Sequence, residues 1–168
     1  MKKLFTLGLS LLLLSAISVQ AQKPSPPASV SQKVGDAIVS INYSQPSVRG
    51  RIIGETLEPI EGKVWRTGAN EATVFETSKD ITVEGKTLPA GKYALFTIVN
   101  GNEWTIIFNK TWDQWGAFSY KEAEDALRVK VTGGKADPFA ETMTFTIAEN
   151  GTVTLLWGGN KVEFKVKS

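Results

Sequence analysis

The chain has 168 residues, with 19 Lys+Arg against 17 Asp+Glu and neither Cys nor His. Without those two residue types there is no Cys/His zinc centre, no Ser-His-Asp triad and no thiol nucleophile, so any catalysis would fall to carboxylates, Lys, Tyr or a carboxylate-held metal. The surplus charge of +2 is Lys2 and Lys3 alone; the rest of the chain is formally neutral and has no basic tract to hold a nucleic acid.

Those two lysines open a secretory signal peptide. After Met1-Lys2-Lys3 comes an apolar run from Leu4 to Ile17, and Val19-Gln20-Ala21 places small residues at −3 and −1 of a cleavage site. The run is shorter than the ~20 residues a membrane span requires. The expectation is removal of 1–21 and an exported protein, periplasmic or secreted, with no integral span after processing. Gln22 to Ala28 (QKPSPPA) reads as a Pro-rich leader, because three prolines in seven residues favour an extended chain. Residues 29–168 then form one domain. With no disulfide available, an apolar core must hold it.

Strand signals fill that domain. Residues 37–43 alternate, with Ala37, Val39, Ile41 and Tyr43 on one side. Residues 73–77 and 81–84 are short strands, and Gly85 turns into 86–88. The nearly continuous apolar stretch 92–99 turns at Asn100-Gly101-Asn102 into 104–108. Alternation returns at 127–131 and 143–147, and Asn150-Gly151 is a two-residue hairpin signal. Its return arm, 153–157, turns at Gly158-Gly159-Asn160 into 162–166. Only 120–126 (YKEAEDA) reads as helical. Eight or nine short strands with one helical turn predict an all-β antiparallel sandwich, jelly-roll-like in arrangement.

Two stretches, 44–70 and 109–120, do not alternate, and loops on a rigid sandwich are where function concentrates. The first holds three of the four arginines, Arg49, Arg51 and Arg66. Arg offers a planar fork that binds carboxylate or phosphate at two points, and nearby glycines admit backbone N–H groups to the same ligand. The alternative is that Arg49 or Arg51 pairs with Glu55, Glu58 or Glu61, and Arg66 with Glu71, to pin a long loop. The decapeptide VWRTGANEAT (64–73) adds Thr67, Asn70 and Glu71, and is either part of a site or a well-bonded corner of the fold. The second stretch carries Trp112, Trp115, Phe118 and Tyr120 around Asp113 and Gln114. These rings either grip a sugar or close the end of the sandwich. Asp113 with Asp125 or Glu122 would make a weakly specified glycosidase pair.

YSQPSVRGR (43–51), KVWRTGANEAT (63–73), LPAGKYALFTI (88–98), EWTIIFNK (103–110) and QWGAFSY (114–120) resemble the family catalogued as domain of unknown function 2911. The resemblance covers roughly 28–168. It implies an exported all-β domain and supplies no catalytic residues. The family's first motif usually has Arg before its proline, where this chain has Gln45; if that arginine contributes to an anion site, this chain has a reduced one. The leading expectation is a binding module for a small anionic or sugar-like ligand, met by Arg49, Arg51, Arg66, Thr67, Asn70 and Glu71 with Trp112 and Trp115. No cofactor or metal is expected. A carboxylate-based hydrolase using Glu71 or Asp113 and a non-catalytic envelope scaffold are the alternatives.

Overall fold

The structure, a computed structural model, describes residues 25–168; the expected signal peptide and residues 22–24 of the leader lie outside them. Ten strands run in chain order: β1 (Pro27–Val34), β2 (Ala37–Ser44), β3 (Thr73–Thr77), β4 (Ile81–Val83), β5 (Lys86–Leu88), β6 (Gly91–Asn100), β7 (Glu103–Asn109), β8 (Asp125–Thr132), β9 (Gly134–Ile147) and β10 (Thr152–Lys167). They form two antiparallel sheets. One has six strands in the order β1-β2-β3-β6-β7-β8, the other four in the order β5-β4-β10-β9. The chain changes sheets after β3, returns for β6 and crosses again after β8. The all-β antiparallel sandwich expected from the alternation is present.

Alternation decides which side chains meet between the sheets. Ile41, Phe75, Leu95, Ile106 and Phe108 from the six-stranded sheet pack with Phe145, Leu155, Trp157 and Phe164 from the other, all nearly inaccessible. Edge-to-face contacts Phe75–Phe108 (4.9 Å) and Phe108–Phe164 (6.1 Å) carry this core across the gap.

Three elements differ from expectation. The count is ten strands, not eight or nine, partly because β1 pairs along its whole length with β2, starting at Pro27 inside the expected leader. Gly158-Gly159-Asn160 is not a turn: β10 runs through it, and the ladder to β9 absorbs register shifts on both sides of Gly158, whose φ is +59°. The expected helix at 120–126 is reduced to one 3-10 turn, Glu122–Glu124, because Asp125 already begins β8.

The outer face of the six-stranded sheet positions the candidate site. Ala94 and Phe96 of β6 and Ile107 of β7 point away from the main core and form a second small cluster with Ala72, Val64, Ala117 and Tyr120. The end of the first irregular stretch, at Val64, and the second, at Ala117 and Tyr120, therefore lie over this face, and these apolar residues hold them there.

Candidate functional site

VWRTGANEAT is an excursion from a strand line. Trp65 exchanges backbone hydrogen bonds with Thr97 of β6 (2.8 and 2.9 Å), while Thr73 pairs with Leu95 two residues away. Residues 66–72 loop out between these two points, and the Thr73 N–H closes the loop on the Arg66 carbonyl. Four side chains of the decapeptide, Trp65, Thr67, Asn70 and Thr73, are bonded within the fold. Trp65 is 2% exposed and its indole N–H donates to the Gly68 carbonyl at 3.1 Å. Thr67, buried with φ +50°, has its hydroxyl on the Trp65 carbonyl and the Thr97 hydroxyl. Thr73 Oγ1 donates to the Thr67 carbonyl at 2.8 Å. Asn70, also at positive φ, donates through Nδ2 to the Ser25 carbonyl at 3.2 Å. Asn and Thr are the residue types that satisfy such turns by local side-chain bonds.

The second stretch docks on this loop by backbone. Ala72 N–H donates to the Gln114 carbonyl (3.0 Å), Gly116 N–H to the Asn70 carbonyl (3.1 Å), and Glu71 and Trp115 form an antiparallel bridge. The far end of the stretch is fastened at Asp125, whose side chain is 8% exposed. Asp125 accepts from Tyr120 Oη (2.7 Å), Arg128 Nε (2.5 Å) and Asn109 Nδ2 (2.8 Å). Burial, with the hydrogen bond to Asp125 and its charge, pushes the Tyr120 phenol up to about 12. Asp125 thus commits both carboxylate oxygens to fastening the fold. No cluster of three or more metal-ligating side chains occurs among the described residues.

Arg66 differs from its neighbours. Its Nε is buried without a hydrogen-bond partner, and so is Gln114 Oε1. Arg66 is absent from the ion pairs of the described residues. Its Nη1 lies beside Gly116: a Cβ built there would sit 3.0 Å from Nη1 and 3.1 Å from the Phe118 ring. Gly116, at φ +64°, therefore lets guanidinium and ring close over the backbone. The nearby aromatics are unusually open, with Trp115 55% and Phe118 85% exposed. Trp112, 41% exposed, lies under the Lys92 ammonium at 5.3 Å. Glu71 and Asp113 face solvent.

The other two arginines of the first stretch belong to a different part of the surface. Residues 46–48 run beside β9, with Val48 N–H on the Glu141 carbonyl and Met143 N–H on the Pro46 carbonyl. Arg49 N–H donates to Glu141 Oε1 at 2.7 Å, and Arg51 directs its guanidinium to the carbonyls of Ser47 (2.6 Å) and Val48 (3.1 Å). Arg51 therefore pins its loop through backbone carbonyls, not through Glu55, Glu58 or Glu61. Gln45 bonds the Met143 carbonyl at 2.9 Å, another tie to β9. The structure brings together Arg66, Asn70, Glu71 and Trp115, with Trp112 nearby in the same stretch. Gln114, placed between two tryptophans in the sequence, emerges as a site residue only through its unbonded buried oxygen.

Comparison with curated proteins and with solved structures returns no match. The family described as Protein of unknown function (DUF2911) matches residues 25–166, almost the whole described sandwich, and the chain belongs to that family.

Proposed function

We propose that the protein is an exported binding module that takes a small carboxylate- or phosphate-bearing ligand at the corner between residues 66–71 and 112–118. One observation carries this reading: beside Thr67 and Asn70, which are bonded within the fold, a guanidinium donor and a facing-loop amide oxygen are both buried and unbonded. An unmet buried donor costs about 1–3 kcal/mol, and a cost of that kind is retained where a ligand recovers it. Arg66 supplies the charge and the two-point fork, Gln114 accepts from a hydroxyl or N–H of the ligand, and Phe118 offers a face for a ring. Arg51 takes no part, since its guanidinium is committed to the Ser47 and Val48 carbonyls.

The test is a thermal-shift screen of the mature protein at low ionic strength, where anion binding is least screened. Phosphate, sulfate, citrate, glucuronate and galacturonate are the probes. A ligand at 100 times its dissociation constant adds ~2.7 kcal/mol. The expected shift disappears in Arg66→Ala and weakens in Arg66→Lys, because an ammonium cannot reproduce the fork. A panel without any shift, or a shift that Arg66→Ala leaves intact, removes the reading.

A further inference from the structure

On the other sheet the ladder between β9 and β10 is badly mismatched. From the pair Leu156–Thr144 to the pair Asn160–Lys135, β10 advances four residues while β9 advances nine. The surplus on β9 cannot pair and must arch away from its neighbour, as bulges do where a side chain is re-aimed. Beneath the arch the packing is close: a Cβ on Gly158 would fall 2.3 Å from Ile53 Cδ1 and 3.5 Å from the Phe139 ring. Outside it lies a concavity of about 580 Å³, within the usual range of small-molecule sites.

Its walls have a definite chemistry. Phe139 is 57% exposed with its ring edge near Gly158, so a large aromatic face is presented to solvent. Leu156, Thr144 and Thr154 also line the concavity. The hydroxyls of Thr144 and Thr154 already donate, to the Thr142 carbonyl and to Glu163 Oε1, and so keep lone pairs to accept. Lys135 and Lys161 are balanced by Asp137 and Glu163, with Lys161 and Glu163 paired at 3.0 Å. The site has no net charge to select an anion. It offers an apolar ring face beside mixed donors and acceptors.

We infer that this concavity is a binding site for a neutral, hydroxyl-rich ring ligand, a short oligosaccharide, with Phe139 as the stacking platform. A pyranose presents an axial C–H face to the ring and hydroxyls to the threonines and the charged rim. This site is separate from the Arg66 corner in place and in charge.

Amide-resolved NMR titration of the mature protein with cellotetraose, maltotetraose and chitotetraose, each to about 5 mM, tests it. At least one sugar is expected to shift the amides of 135–144 and 154–163 saturably. Phe139→Ala should weaken that binding about tenfold or more, Phe139→Trp should retain it, and Arg66→Ala should leave it unchanged. The last variant separates this inference from the anion reading, which fails or survives on its own probes. The inference is overturned if none of the three sugars gives saturable shifts, if the shifts fall on other segments, or if Phe139→Ala binds equally well. Unfolding of Phe139→Ala alongside a Phe139→Trp that does not bind would also overturn it, by making the ring structural.

Discussion

Replacing Arg66 by Met separates a residue that holds the corner from one that waits for a ligand. Met keeps most of the reach and apolar stem of Arg and removes the guanidinium. The buried Nε has no hydrogen-bond partner, and an unmet buried donor costs about 1–3 kcal/mol. Because Arg66 as a whole is only partly buried, the lower end, about 1–1.5 kcal/mol, applies to its removal. Against this stands the loss of the guanidinium's packing over the Gly116 backbone, worth about 0.5 kcal/mol as for a surface substitution. The balance favours Met by roughly 0.5–1 kcal/mol, a rise of about 1–4 °C in a domain of this size. Urea unfolding followed by circular dichroism, with a thermal melt beside it, measures the change in the absence of ligand. A loss of more than about 1 kcal/mol would refute the reasoning: the guanidinium would then be a structural tie, and the corner would lose its claim to a ligand.

Gly68→Ala places a Cβ 2.8 Å from Thr73 Oγ1 and 3.2 Å from the Ser44 carbonyl, against a hydroxyl committed to Thr67. A destabilisation of about 2–4 kcal/mol is expected, largely relieved in a Thr73→Ala background when both are measured as a double-mutant cycle. Asp125→Ala leaves Tyr120, Asn109 and Arg128 without their common acceptor. Chemical unfolding should register a loss of about 2–3 kcal/mol, and limited proteolysis should cut between 110 and 124 first. Tyr120 holds its proton more tightly when folded, with its phenol raised from 10.0 to about 12. Its contribution is therefore complete below pH ~10 and is lost as pH rises towards ~12, so the stability advantage over Tyr120→Phe should shrink between urea titrations at pH ~9 and ~11. A constant or widening gap would contradict that assignment.

The strands legible in the sequence were those with one wet and one dry face. In β2, Ala37, Val39, Ile41 and Tyr43 are buried and the residues between them are more open, which is the pattern that alternation encodes. β1 escapes the same reading because it is an edge strand covered by its neighbour alone. Ala28 and Val30 are only partly buried against the core, Val34 alone in the strand is fully buried, and prolines precede them. Gly158-Gly159-Asn160 misleads for a different reason: a tight turn and a bulge both need a glycine at positive φ, and composition cannot separate them. The density of polar residues in 64–73 was legible too, but their division of labour was not. Thr67 and Asn70 looked as available as Arg66 until each was found bonded within the fold. Phe139 carries no signal at all, because its exposure results from a register mismatch that only the paired strands define.

Both proposed sites lie where the ladder is interrupted, and each interruption is unfavourable for the fold by itself. The 66–72 excursion breaks the line between Trp65 and Thr73 and leaves Nε of Arg66 unmet; the arch in β9 unpairs several residues and turns a phenylalanine outward. A sandwich selected only to be stable would run β3 straight along β6 and keep β9 in register with β10. The rest of the molecule is close to that ideal, with a continuous aromatic core and few unmet polar groups among the described residues. These are the two departures on which the proposals rest, and in each a proposed ligand would recover what the fold gives up. Their charges predict independence: the anion probes should register at Arg66 and leave the β9 arch unmoved, and the neutral sugars should do the reverse.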